Sequence, residues 1–298
     1  MTRHWPRAAA LLCAASALVG FAGNSLLARV ALGGGHSDAS TFTLVRLGSG
    51  ALVLALLAWM RPSRARSRRT DGGRRRVLAG AVSAAALFAY ASAFSFAYLD
   101  VGAGVGALIL FGAVQITMIG RGLAAGERPG GLTWTGFALA AGGLVALTLP
   151  GAEAPDPTAA ALMAFAGAAW GVYSLRGRGA LDPLGSTAAN FAGTLPLAAV
   201  LSAATWSAAD ADRTGLLLAV TSGAIASGLG YSLWYAALPS LSATQAAIAQ
   251  LIVPVLTAAA AAVLLDEAVT LRLIASGSAI VLGVLLALAA SRPPAAHR

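Results

Sequence analysis

The side chains that could do chemistry in this chain are few, and nearly all interrupt apolar sequence. Asn24 and Arg29, Arg46, the series Tyr90, Ser95 and Tyr98, and Gln115 form a first set. Trp170, Tyr173 and Ser174, Asn190, Tyr231 to Tyr235, Gln245 and Gln250 form a second. A polar group inside an apolar run serves either as a hydrogen bond between helices or as part of a pathway for a polar solute. For each serine and asparagine both roles stay open. Tyr98, Trp206, Tyr231 and Trp234 fit either a pathway or an interfacial aromatic belt.

Other chemistries lack their parts. All 20 basic residues are arginine, so a phosphate-binding loop has no lysine to offer, and no soluble segment is long enough to carry one. His4, His36 and His297 are too scattered for a metal or catalytic pair, and the one cysteine, Cys13, leaves no disulfide or thiolate cluster within a chain. No serine stands in a nucleophile frame and no aspartate pair occupies mid-helix positions, which argues against an intramembrane enzyme. Gly102, Gly104 and Gly106 resemble half of a dinucleotide fingerprint, but with no strand ahead of them they read as close packing at the start of a helix. No cofactor or metal is expected. Nothing resembles the carbonyl filter or charged ring of a channel.

The elements that must hold these residues are set by composition. With 58% hydrophobic and 10% charged residues over 298 positions, the chain reads as a polytopic membrane protein whose partners are a lipid bilayer and a small solute. Thr214 to Leu265 is free of charge and, at about 1.5 Å per residue, would be roughly 78 Å long as one helix, so it must fold back. The break is written at Leu238-Pro239-Ser240-Leu241-Ser242. Apolar runs at Ala8–Ala28, Ala39–Met60, Val77–Leu99, Val101–Gly120, Pro129–Gly151, Thr158–Leu175, Pro183–Ala209, the two arms of that hairpin, and Leu273–Ser291 predict ten transmembrane helices.

The ten divide into two fives. Phe94 to Tyr98 lines up with Tyr231 to Tyr235, and Gly126-Glu127 with Asp266-Glu267, giving repeats over 1–152 and 153–298. Sixteen arginines fall on one side of the predicted bundle, eight of them between Arg61 and Arg76, which places both termini in the cytoplasm. That loop sits between apolar spans without interleaved aromatics, so it contacts lipid headgroups and not nucleic acid. Arg46, about 10 Å below a boundary near Ala39, either snorkels to the surface or stands at the external mouth and attracts an anionic group. Pro254, placed about eleven residues into a helix starting at Ala243, would leave the Gln250 carbonyl unpaired near mid-membrane, beside the Gln250 amide.

Gly20-Phe21-Ala22-Gly23-Asn24 with Arg29, Arg46, Gly126-Glu127, Ala168-Ala169-Trp170-Gly171-Val172-Tyr173, and Pro254 with Glu267 resemble the EamA-type drug/metabolite transporters over nearly the whole chain. The resemblance implies a secondary carrier of ten helices in an inverted repeat. Its central cavity would be bounded by helices 3, 4, 8 and 9 with helices 1 and 6, moving amino acids, other metabolites or toxic compounds, commonly outward. One departure stands in helix 4, where Val114 and Gln115 replace the usual proline. The resulting expectation is an all-α exporter in the cytoplasmic membrane that works by alternating access. Asn24, Tyr98, Gln115, Trp170, Tyr235, Gln250 and Pro254 are its expected solute contacts, with Arg29, Arg46 and Asp100 at the gate or mouth. A homodimer stays open as a partner. None of the 11 acidic residues is expected inside the membrane, which favours facilitated movement or exchange, with Asp100 the one candidate for coupling.

Overall fold

A computed structural model of the chain describes residues 7–60, 74–124, 130–149, 154–177, 182–237 and 249–290. All the regular elements among them are helical, as hydrocarbon demands of a backbone with no water to bond to. They are α1 (Arg7–Gly33), α2 (Ala39–Trp59), α3 (Arg74–Ala97), α4 (Ala103–Ala124) and α5 (Gly131–Thr148). Then come α6 (Pro157–Gly177), α7 (Pro183–Ala204), α8 (Arg213–Ala237), α9 (Ile252–Leu264) and α10 (Leu271–Ala290). Six are long and apolar enough to cross a membrane, and four are shorter apolar helices. The predicted break at 238–242, Gln245 and the Gly126-Glu127 pair lie outside the described residues.

Small residues let these helices touch backbone to backbone, the main source of packing where lipid is as apolar as a side chain. A Cβ on Gly223 of α8 would run into the Arg46 carbonyl and Ser49 Oγ of α2, and one on Gly167 of α6 into the Leu110 carbonyl of α4. On α10, a Cβ at Gly283 would sit 2.5 Å from the Ala140 nitrogen of α5. The strong helix contacts also come in matched sets. α3 packs on α6 as α8 packs on α1, α4 on α6 as α9 on α1, and α2 on α8 as α7 on α3, while α2–α7, α4–α9 and α5–α10 pair with one another. Large apolar side chains such as Leu52, Val200 and Val263 are left on the outside, where lipid covers them.

Helix α8 is not regular. Ser222–Leu229 widens into a π-helix in which the Gly230 N–H reaches the Ile225 carbonyl five residues back. Its sequence holds two Ser-Gly pairs, Ser222-Gly223 and Ser227-Gly228, which have little side chain to hold an α-turn. Helix α9 begins at Ile252, with a turn at Leu251 after helical residues 249–250. Pro254 therefore lies in the first turn and not in mid-helix, where the sequence reading put it. A first turn tolerates proline because its N–H would be unbonded anyway.

One end of the bundle gathers Asp38, Asp100, Asp210, Asp212, Asp266 and Glu267, and is called the acidic end below. There the α1–α2 and α7–α8 connections are knitted together. The Asp38 N–H donates to the Asp210 carbonyl (2.7 Å), the Asp210 N–H to Asp38 Oδ2 (3.1 Å), and the Asp212 N–H to the His36 carbonyl (3.0 Å). His36 Nδ1 and Asp212 Oδ2 lie 2.8 Å apart. Asp38 also caps α2, accepting from the Ser40 and Thr41 amides at 3.0 and 2.9 Å. Burial raises its pKa, yet these hydrogen bonds from Ser40, Thr41 and Asp210 outweigh it, so the carboxyl is held below the usual range.

Candidate functional site

Between α1, α3, α4, α6 and α8 lies a small, partly open cavity walled by Phe21, Asn24, Ser25, Tyr90, Phe94, Leu110, Phe111, Trp170, Ala226, Ser227 and Tyr231. The centre of a rolling water sweeps about 20 Å³ inside it, room for about one water. The π segment of α8 supplies Ala226 and Ser227 to this wall, so the widened turn sits at the cavity itself. Across it, the Ser222 hydroxyl donates to Asn24 Oδ1 at 2.6 Å, tying α8 to α1.

The wall belongs to a continuous aromatic column. From the acidic end inward, Tyr98 packs on Phe94 (centroids 4.6 Å apart), Phe94 on Tyr90 (5.5 Å), Tyr90 on Trp170 (4.9 Å) and Trp170 on Tyr231 (5.2 Å) and Tyr173 (5.5 Å). Phe21 closes on Tyr231 at 5.6 Å. Such rings cover an organic solute with large rigid faces and leave few polar groups to orient it. Those groups are Asn24, Ser25, Ser227 and the tyrosine hydroxyls. The Tyr98 hydroxyl faces Ser25 without a hydrogen bond of ordinary geometry, and the Tyr173 hydroxyl sits likewise beside Asn190, Thr187 and Tyr235.

Arg46 reaches the back of this wall. It is 2% exposed, so it does not snorkel to the surface as one of its sequence readings allowed. Its Nη2 donates to the Tyr90 hydroxyl at 3.0 Å, and its guanidinium carbon stands 4.6 Å from the Phe94 ring centre and 5.4 Å from that of Tyr90. Its Nη1 is buried without a partner.

Above the cavity, the acidic end is locked a second time. Glu267, in the α9–α10 connection, accepts from the α4 N-terminal amides of Ala103 (2.6 Å) and Gly104 (3.1 Å), the position where a helix dipole favours an anion. Arg29 Nε lies 3.7 Å from the same carboxylate, while its Nη1 donates to the Tyr98 and Leu99 carbonyls at 3.3 and 3.1 Å. The glycine series explains the fit. A Cβ on Gly102 would stand 3.0 Å from Glu267 Oε2, one on Gly104 3.2 Å from the Ala258 Cα, and one on Gly106 2.8 Å from the Tyr98 ring. Close approach, and no nucleotide chemistry, is what these glycines serve.

Of the residues singled out by sequence, the cavity brings together Asn24, Tyr90, Trp170 and Tyr231, with Tyr98 and Arg46 packed against its walls. Arg29 stands in the lock. Asp100 is exposed at the acidic end, outside the cavity wall. Gln115 is buried in α4 one turn beyond Phe111, and Tyr235 lies part-buried past Tyr173, nearer the opposite end. Gln250 is part-buried ahead of the α9 break, and Pro254 faces a separate apolar groove of about 610 Å³ between α9 and α10. That groove has Ser278 as its one polar side chain and nothing to orient a solute. Phe111 and the π segment went unmarked in the sequence, and Phe21 and Phe94 were named only as parts of a motif and a repeat, because phenylalanine and alanine in an apolar run carry no signal of a site. The paired Ser-Gly steps of α8 were the visible clue.

Residues 157–289 match the model of the EamA-like transporter family. The chain belongs to the EamA-like transporter family. It is accordingly a multi-pass membrane protein of a transporter family. An uncharacterized protein of Pseudomonas aeruginosa is 50% identical to this transporter over 279 residues, 94% of this chain and 94% of that one. A crystal structure 18% identical in sequence superposes with a TM-score of 0.66, covering 97% of this chain and 100% of the other, which is a likeness of fold. Tyr98 and Tyr231, 0% and 5% exposed, lie inside the bundle and not in a belt, whereas Trp206, 78% exposed beside the acidic end, is placed as a belt residue would be.

Proposed function

We propose that the transporter exports a small organic solute across the cytoplasmic membrane by alternating access, with the aromatic cavity as its binding site. The observation that carries this reading is the position of the cavity. It is walled by five helices inside the bundle, and among the described residues a polar lock stands between it and the acidic end. In the proposed cycle the acidic end faces outside, because the described arginines in the last turns of α4 and α6, Arg121 and Arg176, lie at the other end and the arginine-rich stretches of the sequence adjoin the helix ends on that side. Both termini are then cytoplasmic. On this reading the state described is the one closed at the outer end by Arg29, Glu267 and the Asp38–Asp210 seam, and the cavity, with room here for about one water, must widen to take a solute.

The two-repeat reading is supported by the matched helix contacts. Because each proposed repeat has an odd number of helices, the second would be inverted with respect to the first, and α2–α7, α4–α9 and α5–α10 would meet at its pseudo-twofold axis. Opening requires the Glu267 carboxylate to leave the α4 N-terminus and the π segment of α8 to rewind or shift, moving Ala226 and Ser227 out of the wall. With Asp100 exposed and no carboxylate lining the cavity among the described residues, facilitated movement or exchange is the mode of coupling favoured.

Expression in a sensitive bacterial host, challenged with a panel of toxic metabolites and amino-acid analogues, tests this function. Rescue by the wild-type chain and loss of rescue on Trp170→Ala, with equal protein in the membrane, is the expected result. Equal rescue by Trp170→Ala would remove the cavity as the binding site.

A further inference from the structure

We infer that the solute taken by the central cavity carries a carboxylate, and that Arg46 together with Tyr90 is its binding group. The inference deepens the transport reading and rests on it. Arg46 is 2% exposed and sits within α2, inside the membrane-spanning bundle. A guanidinium does not lose its charge in a protein, so burial leaves a permanent cation in a medium that opposes it. The chain treats its other buried-end arginine differently. Arg29 is matched by Glu267 and two backbone carbonyls, whereas among the described residues the ion pairs are Arg29–Glu267 and His36–Asp212, and none includes Arg46.

What Arg46 does have is one phenol and two ring faces. These hold the guanidinium in place without neutralising it. Nη1 remains an orphan donor, and orphan buried donors are rare enough to need an explanation. A solute anion in the cavity supplies the missing countercharge from the far side of Tyr90, since Arg46 stands behind the wall and does not line it. Tyr90 is the link, since it lines the cavity and accepts from Arg46, which leaves its own proton to donate to a bound carboxylate. Trp170, Phe111 and Tyr231 then cover the organic part. The same field disfavours a cationic solute in the cavity, because no carboxylate lines it.

The test uses the purified full-length chain in detergent with four probes at equal concentration: 3-phenylpropionate, its neutral amide, 3-phenylpropylammonium and chloride. The readouts are the thermal unfolding midpoint and tryptophan fluorescence. The carboxylate should raise the midpoint and change the fluorescence, and the other three should not. Tyr90→Phe should weaken that response by about tenfold or more, and Arg46→Gln should abolish it. Arg46→Lys should keep part of it through the charge alone. If Arg46→Gln does not fold, the probe ranking and Tyr90→Phe still decide. A carboxylate response that survives Arg46→Gln, or that Tyr90→Phe leaves unchanged, overturns the assignment. An equal response to chloride makes this an inorganic-anion site and overturns the organic carboxylate. A response confined to the amide or the ammonium probe, and lost in Trp170→Ala, overturns the anion inference but leaves the cavity standing. No response to any probe removes both.

Discussion

Replacing Glu267 by glutamine should open the acidic end. The carboxylate makes three attachments: the amides of Ala103 and Gly104 at 2.6 and 3.1 Å, and Arg29 at 3.7 Å. Glutamine keeps one acceptor oxygen, so one amide loses its partner, the helix N-terminus loses its anion and Arg29 its countercharge. Losing a cap costs about 1 kcal/mol. The dipole interaction and a part-exposed ion pair contribute about 0.5 kcal/mol each, the latter discounted because the two side chains are 28% and 23% exposed. A bias of about 2 kcal/mol between closed and open states changes their ratio by about 30-fold. The reporter is Ser227→Cys in a Cys13→Ala background, a position 2% exposed in the cavity wall. Labelling of the purified protein by a polar maleimide then measures opening directly. Glu267→Gln should speed labelling by about an order of magnitude or more in protein that remains folded. A change of less than about twofold in correctly folded protein would refute the lock.

Gly223→Ala should lower the unfolding stability by about 2 kcal/mol, because its Cβ meets the Arg46 backbone carbonyl, which no rotamer can move. Gly23→Ala, with nothing within 4 Å of the new methyl, should be neutral or stabilising by up to about 1 kcal/mol in the same thermal assay. Asp38 has its pKa lowered on folding, so its contribution is fully present above the unfolded value of about 3.8 and lost as pH falls through the folded one. Asp38→Asn should therefore reduce stability at pH 7 and flatten the acid limb of a midpoint-against-pH curve below about pH 4. For topology, Thr70→Cys in a Cys13→Ala background should be shielded from impermeant thiol reagents on whole cells and Pro155→Cys labelled. The reverse pattern would invert the orientation.

The helices were legible in the sequence because apolar runs of spanning length have one outcome in hydrocarbon, and the starts at Ala39 and Pro183 fall where the structure has them. Asn24, Tyr90, Trp170 and Tyr231 were legible as polar or amphipathic interruptions. The phenylalanines of the wall were not, since lipid and cavity attract the same side chain. Pro254 misled because residue type fixes the missing N–H but not where a helix begins, and the turn at Leu251 moved it into a first turn. Arg46 was readable as costly, but its depth along α2 alone could not say which way it turned. That was settled by α3, whose Tyr90 and Phe94 hold the guanidinium inside. The Glu267 lock joins residues 164 apart in sequence, and no local pattern announces such a contact.

The most direct test of the cavity as the transport path is counterflow of the rescued solute in proteoliposomes. It compares the wild type with Trp170→Ala and Asn24→Leu, and with Val263→Ala, a lipid-facing position 80% exposed. The account predicts that the two cavity variants lose about tenfold or more of the transport rate at equal reconstituted protein while Val263→Ala keeps it. Wild-type counterflow by both cavity variants would contradict it.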